Sequence, residues 1–154
     1  GVSSTVYTWL PSLFVTVLDA IGQAIVVPQQ ASDSRPLAQR VASVVQGLAE
    51  VFDKIVPLRV AAGQFVDHPA LIERGNAFKL ELRKSTFEAF APEFASLDEQ
   101  AREELADAIG AALSLDAWIV LRRRDGLSFD RAAAVWRMTL EALLTHRFVA
   151  VAAE

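Results

Sequence analysis

The sequence contains no cysteine, and this absence excludes a disulfide framework, a thiolate zinc site and a cysteine nucleophile. Such a composition is typical of the reducing cytoplasm, where we expect the protein to be located. Histidine is scarce, with only His68 and His146, and the chain has no His-Glu-x-x-His, Gly-x-Ser-x-Gly or glycine-rich phosphate-loop motif. We therefore expect no enzyme activity, no catalytic residues, no cofactor and no metal site.

Long uncharged stretches are also missing. The longest apolar run, residues 13–27, contains Thr16, Asp19 and Gln23, whereas a membrane span needs about 20 nearly uncharged residues. No basic leader followed by an apolar segment and a small-residue cleavage site is visible, so we expect no membrane contact. The formal net charge of −4 argues against binding nucleic acid across the whole surface, so any such contact is local.

The chain has 154 residues, 53% of them hydrophobic, which is enough for one domain with a buried core. The apolar residues recur at helical spacing without two-residue alternation, so we expect an all-α helical bundle of about six helices. The predicted helices cover residues 13–27, 34–56, 58–65, 69–90, 97–124 and 128–147. Pro57 is expected to break the second helix, Ser96 with Glu99 to begin the fifth, Gly126 to end it, and Ser128 to begin the last.

The last two predicted helices have more apolar surface than one core needs. Residues 113–121 are apolar nearly all round, and the final helix has a strip of small side chains beside its bulky face. A helix that is apolar all round must be covered on both sides, so we expect a homodimer in which these helices form a four-helix bundle. The expected interface residues are Asp116, Ile119, Val135, Thr139, Ala142 and His146, with Asp116 paired to an arginine.

Polar side chains interrupt the apolar face of the helix predicted for residues 69–90. Asn76, Lys79, Arg83 and Thr86 fall inside that face, where unpaired polar groups are unfavourable. Two interpretations stand side by side: these groups face a ligand cavity, or Lys79 and Arg83 extend to the surface along a domain edge. The nearby acidic cluster of Glu103, Glu104 and Asp107 is expected to be a solvated face.

The first twelve residues have a recognisable order. Gly-Val-Ser at residues 1–3, followed by Ser-Thr-Val-Tyr-Thr-Trp-Leu-Pro-Ser at residues 4–12, resembles the recognition-helix signature of the TetR-like transcriptional regulators. Trp118, Leu121-Arg122 and Gly126-Leu127-Ser128 are similar to that family's last two helices. The resemblance implies that residues 1–12 are a remnant of a helix-turn-helix DNA-binding domain and that residues 13–154 form a ligand-binding and dimerisation domain.

The DNA contacts that the resemblance implies are made by Ser4, Thr5, Tyr7 and Trp9, whose hydroxyl and ring N–H groups suit phosphate oxygens. For Trp9, packing against supporting helices is an equal alternative. The family's first two helices are not in the sequence, and about three residues are missing between Ser12 and Leu13. These gaps are either deletions or residues outside this sequence; the second explanation implies about forty preceding residues with a basic helix-turn-helix pattern.

The function implied by the resemblance is that of a ligand-responsive repressor, a homodimer that binds operator DNA when its helix-turn-helix is complete. A small, mostly apolar effector would bind in the helical domain and shift the population of conformations. The expected ligand-binding residues are Val17, Ile21, Phe52, Phe65, Asn76, Phe78, Arg83 and Trp118, with Asn76 and Arg83 as polar contacts. The alternative is a non-enzymatic helical binding protein or carrier for an apolar molecule, without DNA function.

Overall fold

The computed structural model describes residues 12, 13, 15, 16, 19, 34–61, 63 and 67–145. Within these residues there is no strand, and the all-α prediction is confirmed. The α-helices are α1 (Leu37–Ala61), α2 (Pro69–Ala89), α3 (Ala91–Phe94), α4 (Glu99–Ala112), α5 (Leu115–Ile119) and α6 (Phe129–Thr145), and a π-helical turn, Val120–Arg124, extends α5. None of the helices in this part of the chain is both long and apolar enough to cross a membrane.

Helix α1 continues through Pro57, so the predicted break at this residue is wrong. Proline removes one backbone donor and crowds the preceding turn, which normally ends a helix. Here Ile55 and Val56 are buried just before the proline, while Pro57 itself faces solvent. Helical stability in proteins comes mostly from packing of the apolar face, and this packing outweighs the local preference. The helix predicted separately at residues 58–65 is therefore, as far as Ala61, the last turn of α1.

Replacing Pro57 with alanine is expected to stabilise the protein by about 2 kcal/mol, because the new N–H can donate to the carbonyl of Asp53. Urea unfolding followed by circular dichroism measures this difference, with Lys54→Ala on the exposed side of α1 as the control. A loss of stability in the Pro57→Ala protein would mean that the proline is itself a favourable part of the helix.

The helix predicted for residues 97–124 is divided into α4, α5 and the π-helical turn, and its start was also misplaced. Asp98, rather than Ser96, caps α4, accepting a hydrogen bond from the Ala101 N–H at 2.8 Å. The hydroxyl of Ser114 accepts from the Ala117 N–H at 3.1 Å and begins α5. Serine competes for backbone hydrogen bonds in this way, and the break resets the helical phase of every residue that follows.

The predictions for the turn before α6 are confirmed. Gly126 has a φ of +65°, the left-handed conformation that ends many helices, and the Leu127 N–H donates to the Leu121 carbonyl at 3.0 Å. Ser128 then caps α6, because its hydroxyl accepts from the Arg131 N–H at 3.3 Å.

The core lies where α1, α5 and α6 meet, and it is rich in aromatic rings. Trp118 and Trp136 are fully buried with ring centroids 4.6 Å apart, and Phe52 contacts Trp136 edge-on at 5.8 Å. The Trp118 indole N–H donates to Asp53 at 3.2 Å, and the Arg122 Nε donates to the same carboxylate oxygen at 2.7 Å. This shared carboxylate fastens α1 to the turn that follows α5, and its bond with Arg122 lowers the pKa of Asp53.

A second ion pair, between Arg40 and Glu93, joins the start of α1 to α3. Arg40 near the start of α1 binds Glu93 in α3 through two contacts, Nη1 to Oε2 at 2.8 Å and Nη2 to Oε1 at 2.5 Å. The same guanidinium donates to the Ala89 carbonyl at 2.9 Å and lies over the Phe90 ring. Both side chains are largely buried, so the pair joins α1 to the junction between α2 and α3 in a poorly solvated place.

Candidate functional site

A cavity of about 920 Å³ lies between α1, α2 and α4 and reaches the start of α5. This volume is within the range of small-molecule sites, about 300–1,000 Å³. The wall contributed by α1 is a stripe at helical spacing, Val44, Leu48, Phe52, Ile55 and Arg59, with Leu58 beside its last turn. Phe52 is part of both the core and the cavity wall, because it also contacts Phe78 of α2 at 5.7 Å.

The wall contributed by α2 contains more polar lining residues than that of any other helix, although Arg59, Asp107 and Asp116 also line the cavity. Among the lining residues of α2 and its C-cap, six recur at alternating intervals of four and three along one face: Ile72, Asn76, Lys79, Arg83, Thr86 and Phe90. Exposure decreases along this face from 48% at Ile72 to 7% at Thr86 and 0% at Phe90. The cavity is therefore more open at the Ile72 end of α2 and more enclosed at the Phe90 end, and Asn76 and Lys79 lie toward the open end.

Two glycines keep part of the cavity wall free of side chains. Gly75 of α2 and Gly110 of α4 both line the cavity, and a Cβ added at either would meet no other atom within 4 Å. Glycine inside a helix is less favourable than alanine by about 1 kcal/mol, so each position lowers helix stability while it leaves space in the cavity.

Arg83 lines the cavity with its stem while its charged end is engaged with α4. Nη1 donates to the Asp107 carboxylate at 2.7 Å, and Nη2 contacts Glu103. The bond with Asp107 is the main cause of a raised pKa for Arg83. Glu103 and Asp107 are 59% and 75% exposed, as expected for a solvated face, and they are also the counter-charges of this arginine. Glu104 is different: it accepts a hydrogen bond from Gln100 at 2.9 Å.

Asn76 and Lys79 differ from Arg83 in having no such partners. Both side chains are exposed, and neither has a hydrogen bond or ion pair within the described part of the chain. They lie three residues apart on one helix face and are therefore neighbours. All three residues line the cavity, as the first interpretation expects. Arg83 is bound to α4, whereas Asn76 and Lys79 are exposed at the open end of the cavity.

The structure brings together four of the predicted ligand-binding residues: Phe52, Asn76, Phe78 and Arg83 all line the cavity. Trp118 does not; it is fully buried against Trp136, and its N–H is bound to Asp53. Three further predicted positions, Val17, Ile21 and Phe65, lie outside the described residues, as do all four positions predicted to contact DNA: Ser4, Thr5, Tyr7 and Trp9.

Apart from Phe52, sequence reasoning missed the lining residues on α1 and α4. Val44, Leu48 and Ile55 repeat at core spacing, and nothing in their pattern separates a cavity wall from a packed core. The glycines at 75 and 110 were an available signal, because glycine inside an otherwise helical segment points to a packing or functional reason.

The residues predicted for a subunit interface are dispersed over α5 and α6. Ile119, Val135 and Thr139 are half-buried, Ala142 is exposed, and His146 lies outside the described residues. The Asp116 side chain is 83% exposed and 4.0 Å from Arg59 of the same chain. A continuous helix would have placed Asp116 on the buried face of α4, but the break at Ser114 moves it into the first turn of α5, at the rim of the cavity.

Metal-ligating side chains do not gather anywhere in the described part of the chain in a group of three or more. His68, one of the two histidines, caps α2 by accepting from the Ala70 N–H at 3.3 Å. The cavity is therefore the feature from which a function can be inferred. Comparison of the chain with protein-family models, with curated proteins and with solved structures gives no match in any of the three.

Proposed function

We propose that this chain is the ligand-binding and dimerisation part of a TetR-like DNA-binding repressor, and that the cavity holds a small, mostly apolar effector. The observation that carries the proposal is the cavity of about 920 Å³, walled by aliphatic and aromatic side chains with a few polar groups along α2. This combination is typical of small-molecule sites. The signature in residues 1–12 supports the DNA-binding half of the proposal.

One contact supports communication between the cavity and the N-terminal segment. Arg74 lines the cavity, and its Nε is 2.5 Å from the carboxylate of Asp19, a helical residue seven positions after the end of the DNA-binding signature. Both side chains are partly exposed, so the pair contributes little to stability. Its proposed role is to couple α2 to Asp19: a ligand that displaces α2 also displaces this residue, and a ligand that prefers one arrangement shifts the equilibrium toward it.

A panel of apolar small molecules tested by thermal unfolding examines the cavity directly. A bound ligand at about 100 times its Kd is expected to raise Tm by about 5–10 °C. Phe78→Ala removes a cavity wall and Asn76→Leu removes a polar contact, so each is expected to reduce the shift relative to Lys54→Gln, a control on the exposed side of α1. A ligand that binds both variants as tightly as the parent would place its site elsewhere.

A further inference from the structure

Cationic side chains outnumber carboxylates in the lining of the cavity. Four cations line it, Arg59, Arg74, Lys79 and Arg83, against two carboxylates, Asp107 and Asp116. Two further carboxylates outside the lining, Asp19 and Glu103, bind Arg74 and Arg83. The preference for an anionic ligand therefore depends on whether one of the cations is left without a carboxylate, because an unpaired charge attracts a ligand of opposite charge.

Lys79 differs from the other three cations of the cavity in the part of the chain that the structure describes. Arg83 is bound to Asp107 and Glu103, and Arg74 to Asp19. Arg59 has a long contact of 4.0 Å with the exposed Asp116. Lys79 has no ion pair within the residues that the structure describes, although it lines the same cavity.

The position of Lys79 relative to the apolar end of the cavity limits the shape of a ligand. Asn76 lies beside Lys79 on the same helix face, so an amide N–H and an ammonium group adjoin at the open end. From Lys79 to Phe90 the α2 face extends about 16 Å toward the enclosed end. This distance matches an extended chain of about a dozen carbons.

We propose that the cavity takes an amphipathic anion, with an apolar chain enclosed between α1, α2 and α4 and a carboxylate held by Lys79 and Asn76. This inference rests on the proposed function, since it assigns a chemical class to the effector of the same cavity. It adds a requirement that an apolar cavity alone does not impose: the negative charge of the ligand contributes to its affinity. Lysine suits this task as a compact charge on a flexible stem.

Three probes with one chain length separate the charge from the apolar chain: dodecanoate, dodecan-1-ol and dodecyltrimethylammonium. Each is titrated calorimetrically with the full chain, the two ionic probes below their micelle concentrations and dodecan-1-ol below its solubility limit. Dodecanoate is expected to bind about tenfold or more tightly than dodecanol, because a charge-assisted hydrogen bond replaces a neutral one. The cationic probe is expected to bind most weakly.

Substitutions test whether Lys79 causes the difference in affinity between dodecanoate and dodecanol. Lys79→Gln is expected to reduce the affinity for dodecanoate to that for dodecanol and to leave dodecanol unchanged, whereas Lys54→Gln, outside the cavity, is expected to change neither. Gly110→Leu adds a large side chain at a residue that lines the cavity and is expected to abolish binding of all the probes, while circular dichroism verifies an intact helical fold.

Equal binding of dodecanoate and dodecanol by the parent protein would overturn the inference and leave the proposed apolar site intact. A Lys79→Gln protein that loses both probes equally, or neither, would also overturn it, because the lysine would then not recognise the charge. The inference would also be overturned if no probe binds the parent protein, or if Gly110→Leu binds the probes as well as the parent does. The panel of apolar molecules tests the proposed function separately.

Discussion

Replacing Arg40 with methionine is expected to lower the free energy of unfolding at neutral pH by about 3–5 kcal/mol, a large part of a typical domain's stability. The Arg40 side chain is 7% exposed and its partner Glu93 is 15% exposed. Removal of the arginine leaves the Glu93 carboxylate in a poorly solvated place without its guanidinium. The effect is measured by urea unfolding of the parent and the variant.

The pH dependence of this loss has a definite sign. In the parent, the hydrogen bonds from Arg40 hold the pKa of Glu93 below its ordinary value, so the pair stabilises the fold above about pH 4.3 and loses this contribution as the pH falls through the lowered pKa. In Arg40→Met the burial of Glu93 remains without the arginine, which favours the neutral acid. The stability difference between parent and variant is therefore expected to narrow as the pH is lowered from 7 to 4.

The double variant Arg40→Met with Glu93→Leu provides the control. Replacing both partners of a buried pair with apolar groups removes the uncompensated charge, and the double variant is expected to recover most of the lost stability. If the double variant is instead as unstable as the sum of its single changes, the two side chains act independently and the pair does not join α1 to α3.

Replacing Ala142 with glutamate is expected to convert the proposed homodimer into a monomer, weakening self-association by about 100-fold or more. Ala142 is exposed in the single chain, one turn beyond Met138, an apolar side chain that is 67% exposed. A glutamate at this position is compatible with the isolated subunit. Across a two-fold axis, however, two carboxylates would meet in a dry contact between symmetry-related α6 helices.

Sedimentation equilibrium of the Ala142→Glu protein measures this change, with circular dichroism to verify its helical content. Arg137→Glu is the matched control. It adds negative charge to the same helix, away from the strip formed by Val135, Thr139 and Ala142, and is expected to leave assembly unchanged. A well-folded dimer of Ala142→Glu would place the subunit interface elsewhere on the molecule.

Two helix boundaries that depend on the backbone or side chain of one residue were predicted correctly from the sequence. Gly126 and Ser128 mark the turn between helices through backbone conformation and a side-chain cap, and the structure confirms both. The break expected at Pro57 does not occur, because burial of Ile55 and Val56 is a tertiary effect that the local rule omits. The cap at Ser114 was hidden by the apolar residues around it, which continue the helical pattern on both sides.

Part of the cavity lining could be predicted from the sequence, because its polar residues interrupt an apolar helix face. Asn76, Lys79 and Arg83 are conspicuous because polar residues interrupt an apolar face, and they do lie along the cavity. Trp118 was expected in the cavity wall with the function that the resemblance implies, but it is fully buried against Trp136. The pairing of Arg83 with Asp107 depends on how α2 and α4 pack, which a single sequence does not reveal.

A single titration measures whether occupancy of the cavity controls DNA binding. The protein, with any residues that precede this chain in its gene, is used to select duplexes from a random pool, and the affinity for a selected duplex is measured by fluorescence anisotropy with and without a ligand that raises Tm. We expect the ligand to change the Kd for DNA by about 5–150-fold, and Gly110→Leu to bind the same duplex without responding to the ligand. Enrichment of no duplex, or a Kd that the ligand leaves unchanged, would exclude a ligand-controlled DNA-binding protein and favour a carrier for apolar molecules.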